Sequence, residues 1–188
     1  MNVYSLNRVR SKRRSLGQIS IEYVVVIALV ALGLGGIIYY FTKGRHETSV
    51  NSVASAVNVM AGAALKQYNG DQNGFANVTA AALINNGDVP TPMVQGANIV
   101  TGFGTPVTVA PATTYNANDS VAFSFSVPPS DCSNFVQAVA SNFNSITVAG
   151  TTVKNVATGL TSVSNTTLGT QCVSTNGAQV PLVLTVTL

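Results

Sequence analysis

An uncharged apolar run near the N-terminus constrains most strongly how this chain can fold. From Tyr23 to Phe41 the sequence reads YVVVIALVALGLGGIIYYF, without a charged side chain. As a helix, a run of this length can cross the roughly 30 Å of hydrocarbon in a bilayer core. We therefore expect it to form a membrane-spanning helix.

Positive charge is concentrated just before this run. Five of the nine cations lie in the first fourteen residues: Arg8, Arg10, Lys12, Arg13 and Arg14. The positive-inside rule keeps such a leader in the cytoplasm and sends the rest of the chain outward. Beyond Gly17 acidic residues outnumber basic ones, which argues against a basic nucleic-acid-binding domain.

The apolar run is not typical of a cleaved secretory signal. Such a signal has an apolar core of about 7–15 residues and then a small-residue cleavage site. Here the run is longer, and it ends in Tyr39-Tyr40-Phe41-Thr42-Lys43 without a small-residue cleavage site. We therefore expect the apolar segment to remain in the mature protein.

The residue types that support catalysis or metal binding are scarce. The chain has two cysteines, Cys132 and Cys172, without CxxC spacing, and His46 is its single histidine. This set suits neither a zinc site nor a Ser-His-Asp arrangement, so we expect no enzyme activity, metal or cofactor. With outward topology the two cysteines are expected to form a disulfide, and two unpaired buried cysteines are the alternative.

Helical periodicity continues beyond the apolar run. Apolar residues recur at spacings of three and four, which predicts a helix face lying on a sheet: Val50, Val53, Val57, Met60, Ala64 and Tyr68. The turn residues from Asn69-Gly70 should end this helix. A short helix should follow from Val78 to Asn85, with Asn77 or Thr79 as its cap and Asn86-Gly87 as its stop.

The remainder of the sequence alternates in the manner of strands, with one further helix. Strand patterns include Val107 and Val109, then Phe123, Phe125 and Val127, a hairpin around Ala149-Gly150, and a terminal strand from Val180 to Leu188. Between them Ser130 or Asp131 is expected to cap a helix. Its apolar face would consist of Cys132, Phe135, Val136, Val139 and Phe143.

The N-terminal pattern as a whole is a basic leader ending in KRRSLG, then QISIEYVVV. It resembles the class III signal of type IV prepilins. The resemblance implies that a prepilin peptidase cuts between Gly17 and Gln18 on the cytoplasmic face. Glu22, the fifth mature residue, would then pair with the N-terminal ammonium of a neighbouring Gln18 during assembly. From the residues alone, Glu22 can also be an interfacial carboxylate at a helix start.

Motifs in the second half resemble the major pilins of type IVb systems, most closely the conjugative thin-pilus group. They are Gly87-Asp88-Val89-Pro90, Val127-Pro128-Pro129 before Cys132, and Cys172. The resemblance implies an α+β pilin fold, with a long N-terminal helix packed on an antiparallel β-sheet. The implied segments are a leader at 1–17, an apolar transmembrane and polymerisation helix at 18–42, and an extracellular globular domain at 43–188.

The same resemblance implies a function. The chain would be the structural subunit of a pilus used for surface attachment, aggregation or conjugation, and its partner would be further copies of itself. Its precursor would reside in the inner membrane and meet the prepilin peptidase and the pilus assembly machinery, without binding nucleic acid. Two alternatives are a type II secretion pseudopilin and a membrane-tethered extracytoplasmic binding domain that does not polymerise.

Overall fold

The computed structural model describes residues 21–173 and 178–188, without the side chains of residues 21–22 and 36–48. The chain divides into two units, Met1–Thr42 and Lys43–Leu188. The second unit contains a seven-stranded antiparallel sheet and several helices. The predicted α+β fold class is confirmed.

The first helix, α1, covers Ile21–Tyr68. From residue 50 onwards the predicted apolar stripe is buried in full: Val50, Val53, Val57, Met60, Ala64 and Tyr68. The helix ends where the turn residues begin, because Gly70 adopts a left-handed φ of 91° that side chains with a Cβ rarely adopt. Both the stripe and the helix end agree with the prediction.

Two short helical segments follow α1. Helix α2 covers Ala80–Asn85, and the Thr79 hydroxyl caps it by accepting the Ala82 N–H at 3.1 Å. A 3₁₀ turn covers Thr91–Met93. Of the two predicted caps Thr79 is therefore the one used, and the helix begins two residues later than predicted.

The sheet has the strand order β1-β2-β3-β4-β7-β5-β6, and all neighbours are antiparallel. Its strands are β1 Val94–Gln95, β2 Asn98–Val100, β3 Pro106–Ala112, β4 Ser120–Val127, β5 Ser145–Val148, β6 Thr151–Asn155 and β7 Val180–Thr187. The last strand thus lies inside the sheet. It pairs with β4 from Ser120↔Thr187 to Val127↔Val180 and with β5 from Ser145↔Thr185 to Val148↔Leu182.

The predicted strands and hairpin are present. Phe123, Phe125 and Val127 of β4 are all buried, as the alternation predicts. Ala149 and Gly150 connect β5 to β6 with φ values of 49° and 81°. Two successive left-handed residues are the geometry that a two-residue hairpin turn requires.

Helix α3 covers Pro129–Val139 and packs an apolar face into the core. Phe135 of this helix meets Phe125 edge to face, with ring centroids 5.6 Å apart. The predicted cap is wrong, because the helix starts at Pro129 rather than after Ser130 or Asp131. Proline suits the first helical position, where its missing N–H would have no intrahelical partner. Phe143 is buried as predicted, but it lies beyond the helix end.

The loop between β3 and β4 is held by one carboxylate. Asp119 accepts the backbone N–H groups of Thr114, Tyr115 and Asn116 at 2.7–2.8 Å and the Ser120 hydroxyl at 2.6 Å. Burial alone would raise the pKa of Asp119, but these hydrogen bonds outweigh it and lower the pKa from 3.8 to about 2. The charged carboxylate therefore stabilises this loop.

We expect Asp119→Asn to lower the free energy of unfolding by about 1 kcal/mol at pH 7, because one accepting oxygen becomes a donor that faces N–H groups. The folded pKa lies below the unfolded one, so this stabilisation is complete above about pH 4 and is lost as the pH falls towards 2. Urea unfolding of the wild-type chain and the variant in detergent, at pH 7 and near pH 2, measures the difference in free energy of unfolding. Asp71→Asn is the control, because the remaining amide oxygen can still accept the single backbone N–H that Asp71 binds. Equal effects of the two substitutions would contradict the prediction.

Candidate functional site

Apolar side chains in the first part of α1 are exposed in the isolated chain. Between residues 23 and 34 their exposed fractions run from 52% at Val25 to 74% at Leu32. The residues are Tyr23, Val24, Val25, Val26, Ile27, Leu29, Val30, Leu32 and Leu34. The other described residues leave this contiguous apolar surface exposed, and such surfaces mark interaction sites.

The predicted processing and assembly residues lie at the border of what the structure describes. Gly17 and Gln18 lie outside the described residues, and Glu22 belongs to α1 without a described side chain. Among the described residues, no helix is both long and apolar enough to cross a membrane. The predicted helix at 18–42 lies partly outside the described side chains, and its role in a membrane stays a prediction.

A disulfide joins Cys132 and Cys172, whose Cα atoms are 5.6 Å apart and whose side chains are buried. Cys132 lies in the first turn of α3, and Cys172 directly follows a fourth helix, α4, which covers Asn165–Gln171. The disulfide therefore ties the start of α3 to the end of α4, across a sequence separation of 40 residues that contains β5 and β6.

Sequence reasoning found both cysteines but missed α4. The Ser164 hydroxyl caps this helix by accepting the Thr167 N–H at 3.4 Å, and Leu168 is its buried residue. Serine at a helix N-cap is a usable signal, but a seven-residue segment rich in threonine and glycine has weak helix propensity. Burial of Leu168 and the adjacent disulfide therefore stabilise this helix more than its intrinsic helix propensity does.

Two acidic residues of the second unit, Asp119 and Asp131, occupy structural positions. Asp119 binds loop N–H groups, and Asp131 is buried in the first turn of α3, where the helix dipole favours a carboxylate. Within the described part of the chain, no three His, Cys, Asp or Glu side chains come close enough to hold a metal ion. The His46 side chain lies outside the described residues.

The chain is similar to known proteins in sequence pattern and in fold. A protein-family model described as PilS N terminal matches residues 47–186, which is more than half of the chain. No curated protein sequence matches it significantly.

Two solved structures share the fold. The type IVb pilin from Salmonella typhi is 18% identical with a TM-score of 0.57, and the likeness covers 71% of this chain and 96% of that one. TcpA, a type IV pilin from Vibrio cholerae El Tor biotype, is 17% identical with a TM-score of 0.52, and the likeness covers 73% of this chain and 98% of that one. At these identities the likeness establishes the fold alone.

We expect Cys132→Ser to lower the free energy of unfolding by about 4 kcal/mol, because the unfolded chain regains the entropy that a closed loop of this length removes. The Cys172 thiol should then react with a maleimide once the chain is unfolded. The double variant Cys132→Ser, Cys172→Ser is the control, with the same loss of stability and no reactive thiol. Reaction of both thiols in unreduced, unfolded wild-type chain would show that the disulfide does not form.

Proposed function

The chain belongs to the PilS N-terminal family, and on that premise we propose that it is the structural subunit of a type IVb-like pilus filament. The observation that carries this proposal is the exposed apolar surface of α1, from Tyr23 to Leu34, in a chain with the type IVb pilin fold. That surface needs molecules outside the chain to cover it.

Packing against copies of the same helix would supply the cover. Leaving a large apolar side chain in water instead costs about 1.5–3 kcal/mol. Repeated contact between unlike surfaces of identical subunits produces open helical filaments when the rotation does not close. Before assembly, the lipid of the inner membrane would cover the same surface.

Processing would prepare the subunit for assembly. A prepilin peptidase that cuts after Gly17 leaves a free ammonium on Gln18. A carboxylate buried among apolar helices costs roughly 3 kcal/mol at a helix centre, and the Gln18 ammonium of a neighbour would offset that cost at Glu22. The pair would thereby define the axial position of each incoming subunit.

The proposal is tested on material sheared from the cell surface. We expect filaments by electron microscopy, and an intact mass that matches a chain beginning at Gln18 with the disulfide formed. A type II secretion pseudopilin would be cleaved but absent from sheared material. A tethered binding domain would stay in the membrane as an uncleaved monomer. Either of those results would overturn the pilus assignment.

We expect Gly17→Arg to abolish cleavage and filaments, because the peptidase must accommodate a small residue at the cut. The variant should still insert in the membrane, since the leader only gains a positive charge. Mass spectrometry of the membrane fraction measures the retained leader. Gly17→Ala is the matched control and should be processed. A normal mature mass from Gly17→Arg would disprove the cleavage assignment.

We expect Glu22→Val to be cleaved normally but to yield about tenfold less filament, because the neighbouring ammonium loses its partner. Quantitative immunoblotting of sheared and membrane fractions separates assembly from processing. Glu22→Asp keeps the charge and should assemble better than Glu22→Val. Unchanged filament yield from Glu22→Val would instead support an interfacial carboxylate without an assembly role.

A further inference from the structure

Lys154 is a buried cation in a chain with few charges. It lies on β6 with 7% of its surface exposed. Its ammonium donates hydrogen bonds to the carbonyl oxygens of Ala140, at 2.5 Å, and of Phe143, at 2.8 Å. Both acceptors follow the last turn of α3. Burial lowers the pKa of Lys154.

The two hydrogen bonds of Lys154 go to uncharged acceptors. Both acceptors are neutral carbonyls, and across the described residues the structure gives the ammonium no carboxylate partner. The carbonyls at a helix C-terminus carry partial negative charge and offset part of the desolvation cost. An ammonium has three donors, so these two bonds leave one N–H for a further acceptor.

A surface depression lies beside this lysine. It has a volume of about 380 Å³, within the range of small-molecule sites. Its lining combines Lys154 with hydroxyl and amide side chains: Gln137, Ser141, Thr161, Ser162 and Asn165. The Gln137 side-chain N–H donates to the side-chain oxygen Oδ1 of Asn165 at 3.3 Å and so links α3 to α4 along the wall. The lining contains no acidic residue and no second cation.

We propose that this depression binds a small carboxylate, either free or as the acidic group of a sugar. The charge matches, because one ammonium balances one carboxylate and a dianion would keep an excess charge. The donors match as well, because the two carboxylate oxygens can accept bonds from the ammonium and from the Ser141, Thr161 and Ser162 hydroxyls. A neutral ligand could accept a hydrogen bond from the ammonium but would leave its charge unbalanced.

The probes are glucuronate, acetate and glucose, titrated into the full chain in non-ionic detergent and followed by calorimetry or saturation-transfer NMR. We expect saturable millimolar binding of glucuronate and none of glucose. Acetate binding as tightly as glucuronate assigns the site to free carboxylates, whereas acetate binding more weakly assigns it to an acidic sugar. Absence of saturable binding by both acids, or equal binding of glucose, would overturn the proposal.

Two variants locate the binding. Lys154→Met should weaken glucuronate binding by about tenfold or more, which is 1.4 kcal/mol or above, but it also removes the contact with the end of α3. The double variant Thr161→Val, Ser162→Ala keeps that contact, because Lys154 is unchanged. It should weaken binding several-fold without changing the unfolding midpoint, since both residues are exposed. Thr166→Val, an exposed threonine outside the lining, is the matched control. Undiminished glucuronate affinity in the Thr161 and Ser162 variant would place the binding outside this depression and overturn the proposal.

Discussion

The pairing of the last strand holds the sheet together. β7 lies between β4 and β5 and forms hydrogen-bonded ladders with both. In the described sheet, β1 to β4 and the β5–β6 hairpin share no other strand pairing. Leu182, Leu184 and Val186 of β7 also enter the core. Contacts between distant segments carry a loop-closure cost. The second unit can therefore complete its fold only when β7 has paired with β4 and β5.

Few charged side chains are available to support this arrangement, since only 8% of the residues are charged. Among the described residues, two of them each form more than one hydrogen bond to the backbone. Asp119 binds the N–H groups of one loop, and Lys154 binds carbonyls after α3. Apolar burial and the disulfide between Cys132 and Cys172 add to the long-range cohesion that the β7 pairing provides. A fold of this kind depends little on salt, since screening acts on exposed charge pairs.

Helix α1 presents two kinds of surface along its length. From Val50 to Tyr68 its buried apolar residues are spaced by three and four, which one packed face satisfies. From Tyr23 to Leu34 nearly every residue is apolar and more than half exposed. An all-round apolar surface cannot be covered by a single sheet and needs several neighbours, either lipid or further helices. The filament proposal rests on this difference.

Local sequence signals account for much of the fold. The end of α1 before Asn69-Gly70, the cap at Thr79 and the hairpin at Ala149-Gly150 each depend on residues close together in the chain. They were predictable because turn and cap preferences are local. Where two local signals compete the prediction fails, as at α3, where proline at the first helical position took precedence over the Ser130 and Asp131 caps. The short helix α4 was not predicted because its helix propensity is weak.

The sequence by itself determined the apolar stretch of α1 and the cysteine pair, since two cysteines allow one pairing. The processing signal around Gly17 and Glu22 stays a prediction. Only the tertiary structure decided the strand order, the central place of β7 and the burial of Lys154 near Gln137 and Asn165. The physical reason is that strand order and burial depend on contacts between residues far apart in the chain. A period of two or of three to four residues specifies which face of an element is apolar, but not which distant element covers it.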